Sequence, residues 1–385
     1  MKKTKLGSNA LIWFGAGVSV AEIMTGISIA PLGFAKGISA IVTGHLIGCM
    51  LMFLAGIIGG KTGLCAMDTV KISYGKKGSI LFSSLNVIQL VGWTSIMIVS
   101  GASAAQIVYP LGQWMWSVII GVLIVIWLIA ETEKLDVLNG IAVTALFIMT
   151  IILSFAVFKG NAVLPEGDMS FGAAVELSVA MPLSWLPLIS DYTSKAEKTV
   201  AATFVSTAVY FFVSCWMYII GMGAAIFTHE NDVALILLKS SLGLTALFIV
   251  IFSTVTTTYL DVFSAGESIK SMFSGINRKY AALTVVATGT VLAIVFKVSE
   301  FEAFLYFIGS VFAPMISIQI VDFFIFKKNI STKNFEIASL AIWLLGFIIY
   351  RILMNTDLVL GCTLPAMMIT GFIYFLVRKI SQSGR

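Results

Sequence analysis

Apolar residues run along this chain in long blocks separated by short polar or basic segments. A helix that crosses a membrane needs about 20 mostly apolar residues at a rise of about 1.5 Å each. Twelve stretches reach that scale, near 10–34, 38–59, 80–108, 112–130, 136–157, 172–190, 200–228, 242–268, 280–297, 301–326, 335–354 and 357–377. Each predicts a helix, and no stretch shows the two-residue alternation of a half-buried strand. The first stretch follows a basic segment but lacks a small-residue cleavage site, so a retained helix is expected there. A weak extra helix is expected around 229–241, in a loop.

Two of the stretches are interrupted at matching places. The first reads Trp13-Phe-Gly-Ala-Gly-Val-Ser-Val-Ala-Glu-Ile-Met-Thr-Gly26, with Pro31 beyond it. Glycines weaken a helix and an acid is costly at that depth. The sixth carries Met181-Pro-Leu-Ser-Trp-Leu-Pro187, where each proline removes a helical hydrogen bond. Irregular backbone survives in a bilayer only where protein buries it or it lines a cavity. Stretches one and six open two successive groups of five, and paired breaks of this kind point to inverted repeats with a site at mid-membrane. Two simple packing kinks are the alternative.

Composition agrees with the pattern. Of 385 residues, 59% are hydrophobic and 11% charged, against roughly 25% charged in soluble domains. With twelve spans and both termini in the cytoplasm, 19 of the 24 basic residues fall on the cytoplasmic side and five (Lys36, Lys159, Lys239, Lys297 and Arg351) on the other. That asymmetry is expected of a multi-pass protein of the cell membrane. The basic runs are membrane-flanking anchors, and a nucleic-acid partner is not expected. The four cysteines (Cys49, Cys65, Cys215 and Cys362) are scattered and read as apolar fillers. No metalloprotease or serine–histidine pattern occurs, and the only histidines are His45 and His229, so an enzyme is not expected.

Candidate chemistry sits in the spans. Glu22, Asp261 and Asp322 are buried acids by position, with Asp322 close to the boundary marked by Lys327 and Lys328. No basic residue falls at mid-membrane to pair with Glu22, which leaves a ligand donor, a proton or free amides of the broken helix. Asp191 and Glu267 fall near cytoplasmic ends, where snorkelling or capping suffices. His45 is either a proton relay or a hydrogen-bonded interhelical side chain. Ser253, Thr257 and Asp261 are spaced by four and share a helix face, with Thr256 at its border. Hydroxyls and free carbonyls are hard oxygen ligands suited to a small cation; each hydroxyl can instead bond back to its own helix. Gln89 and Trp93 lie one turn apart, the tryptophan serving as core or as a stacking platform and the glutamine as a donor and acceptor for a ring edge.

These motifs resemble the nucleobase–cation symporter family 1. The likeness is carried by Gly60-Lys-Thr-Gly-Leu64, Ser73-Tyr-Gly-Lys-Lys-Gly-Ser79, Gln89-Leu-Val-Gly-Trp93, Asp191-Tyr192 and Val321-Asp-Phe323. Ala21-Glu-Ile-Met-Thr-Gly26, Met181-Pro-Leu-Ser-Trp-Leu-Pro187 and Thr256-Thr-Thr-Tyr-Leu-Asp261 are similar to the branch assigned to hydroxymethylpyrimidine, a thiamine precursor. The resemblance implies an all-α integral membrane protein with the leucine-transporter fold. A five-plus-five inverted repeat would occupy 1–157 and 158–328, and two accessory helices 329–385. It implies a sodium ion held by carbonyls of Gly15, Val18 and Ser253 and hydroxyls of Thr256 and Thr257. It also implies a flat heterocycle stacked on Trp93. Two residues depart from the family pattern. Gln89 stands four before the tryptophan, where cytosine permease has three. Pro182 falls where relatives carry a stacking aromatic, making Trp185 the nearby substitute.

The expectation is therefore a secondary-active symporter, functional as a monomer among membrane lipids, that imports a small pyrimidine with sodium or a proton. Glu22, Gln89, Trp93, Trp185 and Asp261 would bind the substrate. A cytosine or purine permease of the same mechanism is the near alternative, and a membrane sensor or channel the distant one.

Overall fold

The computed structural model describes residues 3–130, 133–158, 160–228, 243–295 and 301–383. The weak helix expected around 229–241, with His229, lies outside the described residues. Every described element is helical, apart from one isolated bridge between Thr4 and Ala196. The first stretch forms α1 (Leu6–Gly17) and α2 (Val20–Ile29), the latter extended by a 3-10 turn, Ala30–Leu32. Then come α3 (Phe34–Thr62), α4 (Ala66–Tyr74), α5 (Ser79–Val108), α6 (Gln113–Ala130) and α7 (Glu133–Val157). The second half holds α8 (Phe171–Trp185), α9 (Ile189–Thr193), α10 (Thr199–Phe227), α11 (Gly243–Met272), α12 (Arg278–Val295) and α13 (Phe301–Ile320). The last of these runs on into a π-helical turn, Val321–Phe326, and is followed by α14 (Ile337–Leu353) and α15 (Thr363–Ser383).

All twelve apolar stretches are helices. Among the described residues, seven helices are each long and apolar enough to cross a membrane, and the bent pair α1–α2 makes an eighth. Shorter apolar helices include α8 and α14. The short α4 was not anticipated, because its nine residues carry both Asp68 and Lys71. Helix α3 shows the inverted amphipathicity of a membrane protein. Val42, Leu46 and Met50, spaced by four, are exposed on one face, while Gly44, His45, Gly48, Cys49 and Met52 are buried on the other.

Both expected breaks are present, with different causes. In the first, Val18 and Ser19 leave the helical region, with ψ of 82° and 158°, and α1 and α2 diverge by 51°. In the sixth, α8 continues through Pro182 and stops at Trp185, and α9 resumes at Ile189 beyond Pro187. Pro187 thus marks the break, and Pro182 sits inside a helix. Helices at equivalent places in the two halves pack against each other: α3 on α10, α5 on α11 and α6 on α12.

Close packing sets where α2 lies. Small residues let membrane helices approach until their backbones touch. A Cβ on Gly26 would overlap the Tyr218 carbonyl oxygen, and one on Gly221 would overlap the Ile23 carbonyl oxygen. These two glycines clamp α2 against α10 and bring Glu22 up to the polar face of α10.

A buried acid absent from the sequence expectations, Glu176, ties the accessory helices to α8. Its Oε1 accepts from the hydroxyls of Tyr350 (2.6 Å) and Thr363 (2.5 Å). Its Oε2 accepts from the backbone amides of Cys362 (2.7 Å) and Thr363 (2.8 Å). The carboxylate thereby caps the start of α15, where free amides favour negative charge. Asp322 is fully buried. It accepts from Tyr374 (2.8 Å) and faces Arg378 at 3.7 Å.

Gly221→Ala is expected to push α2 from α10 and cost about 2 kcal/mol, the scale of overpacking in a filled interior. Thermal unfolding in detergent would register it as a lower midpoint, with Gly7→Ala, which meets open space, as the control.

Candidate functional site

The break between α1 and α2 is the floor of the site. Gly15 and Val18 lie where the helical ladder stops, so their carbonyls look outside α1 for donors. Helix α11 supplies them. Ser253 Oγ donates to the Val18 carbonyl (2.8 Å) and Thr257 Oγ1 to the Gly15 carbonyl (3.2 Å). Four of the five residues expected to hold a cation therefore meet across one seam. Thr256 does not reach it. Its hydroxyl donates back to the carbonyls of Phe252 (3.0 Å) and Ser253 (3.1 Å) on its own helix. The Ser253 carbonyl is thus engaged by Thr256, while its side chain faces Val18.

Beside this seam lies a cavity lined by Ser19, Glu22, Trp93, Trp185, Thr257 and Asp261, with Ala21, Met97, Met181 and Ser184 completing it. The side chains close tightly around it, leaving about 10 Å³, room on the order of one water molecule. Thr257 belongs to both the seam and the cavity. Trp93 is held edge-on by Phe301 and Phe304, at centroid distances of 5.8 and 5.5 Å. Trp185 meets Trp13 edge to face at 5.6 Å. Trp13 also contacts Tyr192 and Tyr210, at 5.8 and 5.9 Å. Of this aromatic cluster only Trp185 lines the cavity, with Trp13 packed behind it.

The two cavity acids have opposite surroundings. Glu22 is fully enclosed by donors from α10. Tyr210 donates to its Oε1 at 2.7 Å, and Ser214 Oγ lies 2.7 Å from its Oε2. Ser214 Oγ is also 2.6 Å from Nε2 of His45, whose Nδ1 is 2.9 Å from the Ile41 carbonyl. Ser19 caps α2, its Oγ accepting from the Glu22 amide at 3.4 Å. Asp261 is 3% exposed and lines the same cavity, and among the described residues it takes part in no side-chain hydrogen bond.

Gln89 lies behind the wall and not on it. Its Nε2 donates to the Ser184 carbonyl (2.9 Å), at the end of α8, and to Asn86 Oδ1 (3.2 Å). Its Oε1 is buried with no partner among the described residues. Asp191 and Glu267 work at the end of the bundle near the chain's start. Asp191 accepts from the Ala66 amide (2.8 Å) at the start of α4, and Glu267 pairs with Lys195 and Arg278, each at 3.1 Å. The sequence reading missed Tyr210 and Ser214. Their four-residue spacing on a long span, shared with Tyr218, was the available signal.

A model of the family described as permeases for cytosine/purines, uracil, thiamine and allantoin matches residues 2–373. The chain belongs to that permease family. It is accordingly a multi-pass membrane transporter of the type that carries small heterocycles, and its matched relatives are permeases, not enzymes. Cytosine permease of Escherichia coli K12 is 24% identical over 303 residues, which cover 75% of this chain and 70% of that one. Among solved structures, Mhp1, a nucleobase-cation-symport-1 family transporter, in a closed conformation with bromovinylhydantoin bound, matches with a TM-score of 0.83. It shares 16% identity over 99% of this chain and 94% of Mhp1. A substrate-bound, outward-open Na+-coupled sialic acid symporter matches with a TM-score of 0.67 and 12% identity, over 96% and 88% of the two chains. The fold is the leucine-transporter fold that the family resemblance implied.

Tyr210→Phe in this permease keeps the ring against Trp13 and removes one donor from a buried carboxylate. The expected loss is about 2 kcal/mol of stability, read from thermal unfolding in detergent.

Proposed function

We propose that this permease is a cation-coupled symporter that imports a small aminopyrimidine, with hydroxymethylpyrimidine for thiamine synthesis as its substrate. The observation that carries the reading is Asp261. A buried carboxylate without a protein donor is costly, and here it faces a cavity shared with the ring of Trp93. A flat heterocycle with an exocyclic amine answers both features. The ring stacks on Trp93, with Trp185 closing the opposite wall, and the amine donates to Asp261. Glu22 takes a second donor from the ring edge. Gln89 acts at one remove, by holding the Ser184 carbonyl at the end of α8. Charge-assisted acceptors would favour aminopyrimidines over uracil-like rings, whose carbonyls repel them.

The coupling cation is sodium in this reading. Gly15 and Val18 would supply carbonyl oxygens, Ser253 and Thr257 oxygens from α11, and Thr256 would support the Ser253 carbonyl. All are hard oxygen donors without net charge, as suits a monovalent cation. A cation in the seam draws α1 to α11 and completes the wall that Thr257 shares with the cavity. Substrate affinity and cation affinity are then coupled reciprocally. The halves 1–157 and 158–328 rock around this site, with 329–385 as an accessory pair. The basic asymmetry supports cytoplasmic termini, and in this reading the protein works as a monomer in the cell membrane.

Uptake of labelled hydroxymethylpyrimidine into proteoliposomes is expected to require an inward sodium gradient and to compete weakly with uracil. Asp261→Asn should weaken substrate binding at least tenfold, about 1.4 kcal/mol. Thr257→Ala should raise the sodium concentration for half-maximal uptake at least tenfold, and Thr256→Val much less. Uptake of neither hydroxymethylpyrimidine nor cytosine by inserted protein would overturn the substrate assignment. The second reading, a cytosine permease, is favoured by the match to that relative, and competition of the two ligands on one sample separates them.

A further inference from the structure

We propose that Glu22, Ser214 and His45 form a proton-binding site behind the cavity, holding one proton that moves between the carboxylate and the imidazole as the cavity fills. The inference rests in part on reading the cavity as the substrate site, but the stored proton follows from counting hydrogens.

Four contacts of hydrogen-bond length run in series. The Ile41 carbonyl meets His45 Nδ1 at 2.9 Å. His45 Nε2 meets Ser214 Oγ at 2.6 Å, and Ser214 Oγ meets Glu22 Oε2 at 2.7 Å. Glu22 Oε1 meets the Tyr210 hydroxyl at 2.7 Å. Each contact needs one hydrogen between its heavy atoms. The serine and tyrosine hydroxyls supply one each, leaving two for the imidazole and the carboxyl together. A neutral histidine beside an ionised glutamate supplies only one. It would leave either two lone pairs facing at Nδ1 and the Ile41 carbonyl, or an unfilled contact at Ser214. The chain therefore carries one proton more than that pair.

Two arrangements satisfy every contact. In one, Glu22 is a carboxylic acid donating to Ser214, which donates to the neutral Nε2 of His45. In the other, His45 is an imidazolium donating to Ser214, which donates to an ionised Glu22. Conversion moves the Glu22 proton to Ser214 Oγ while the serine hydroxyl proton passes to Nε2. No charge enters or leaves, and both forms are neutral overall.

The surroundings let the arrangement respond to the cavity. Titratable groups near the chain are Cys49 on α3 and Tyr210, Cys215 and Tyr218 on α10. Tyr218 also meets the His45 ring edge to face at 4.6 Å. From α11, Asp261 faces the same cavity as Glu22. On α8, which packs against α3, the acid Glu176 is engaged by α14 and α15. Among the described residues no lysine or arginine forms an ion pair with Glu22 or Asp261. An amine donor arriving in the cavity stabilises the ionised form of Glu22 and so drives the proton toward His45. The site thus links pH to substrate affinity without a charged partner.

The test uses the full-length protein in lipid, labelled with nitrogen-15 histidine, and reads nitrogen NMR and infrared spectra together. His45→Gln and Glu22→Gln assign the signals. Without ligand, the expected result is a protonated carboxyl band that Glu22→Gln removes, together with a neutral His45 protonated on Nδ1. An imidazolium without that band also meets the count. A neutral His45 beside an ionised Glu22 would overturn the stored proton. On adding hydroxymethylpyrimidine or cytosine, the acid band should fall and imidazolium signal rise, and Ser214→Ala should abolish this exchange. Ligand binding that leaves both signals unchanged would overturn the movement. Absence of any binding would overturn the substrate reading and the movement with it, while the ligand-free spectra still decide the stored proton.

Discussion

The carbonyls of Gly15 and Val18 are the constraint on which the site depends. In a bilayer a backbone oxygen released by a broken helix has no water to turn to. Here α11 answers it with the hydroxyls of Ser253 and Thr257. That answer fixes α1 beside α11 at one level, and the same break turns α2 away by 51°. The turn carries Glu22 onto α10 and leaves Thr257 and Asp261 facing a space instead of a helix. Break, seam and cavity are consequences of one unsatisfied stretch of backbone.

Spans and breaks were legible because they depend on local composition. Apolar length predicts each helix, and Gly15, Gly17 and Pro187 announce where ladders fail. The four-residue spacing of Ser253, Thr257 and Asp261 put them on one face without knowledge of what that face meets. Partner choice was not legible in the same way. Tyr210 and Ser214 lie about 190 residues beyond Glu22 in the chain, and only the Gly26 and Gly221 clamp brings them together. Gln89 and Thr256 carry the right atoms but point them at Ser184 and at their own helix. Helix-bonded hydroxyls and second-layer amides look like ligands in sequence because their chemistry is the same and only their direction differs.

The buried acids show how burial alone underdetermines function. Glu176 receives four donors, two of them backbone amides at the start of α15, and is a fastener. Asp322 has a tyrosine and an arginine and joins α13 to α15. Glu176 is complete within the protein, while Asp322 keeps Oδ1 without a hydrogen bond, 3.7 Å from Arg378, and does not line the cavity. In the proposed reading Asp261, which lines the cavity, takes its donor from what enters. Glu22 already has one donor on each oxygen, from Tyr210 and Ser214, and borders the same cavity, so in the proposed reading a ligand adds a donor and can turn the bonds already made. On that proposal, an open acceptor beside a reversible one would let a single incoming amine bind at the first and be registered at the second.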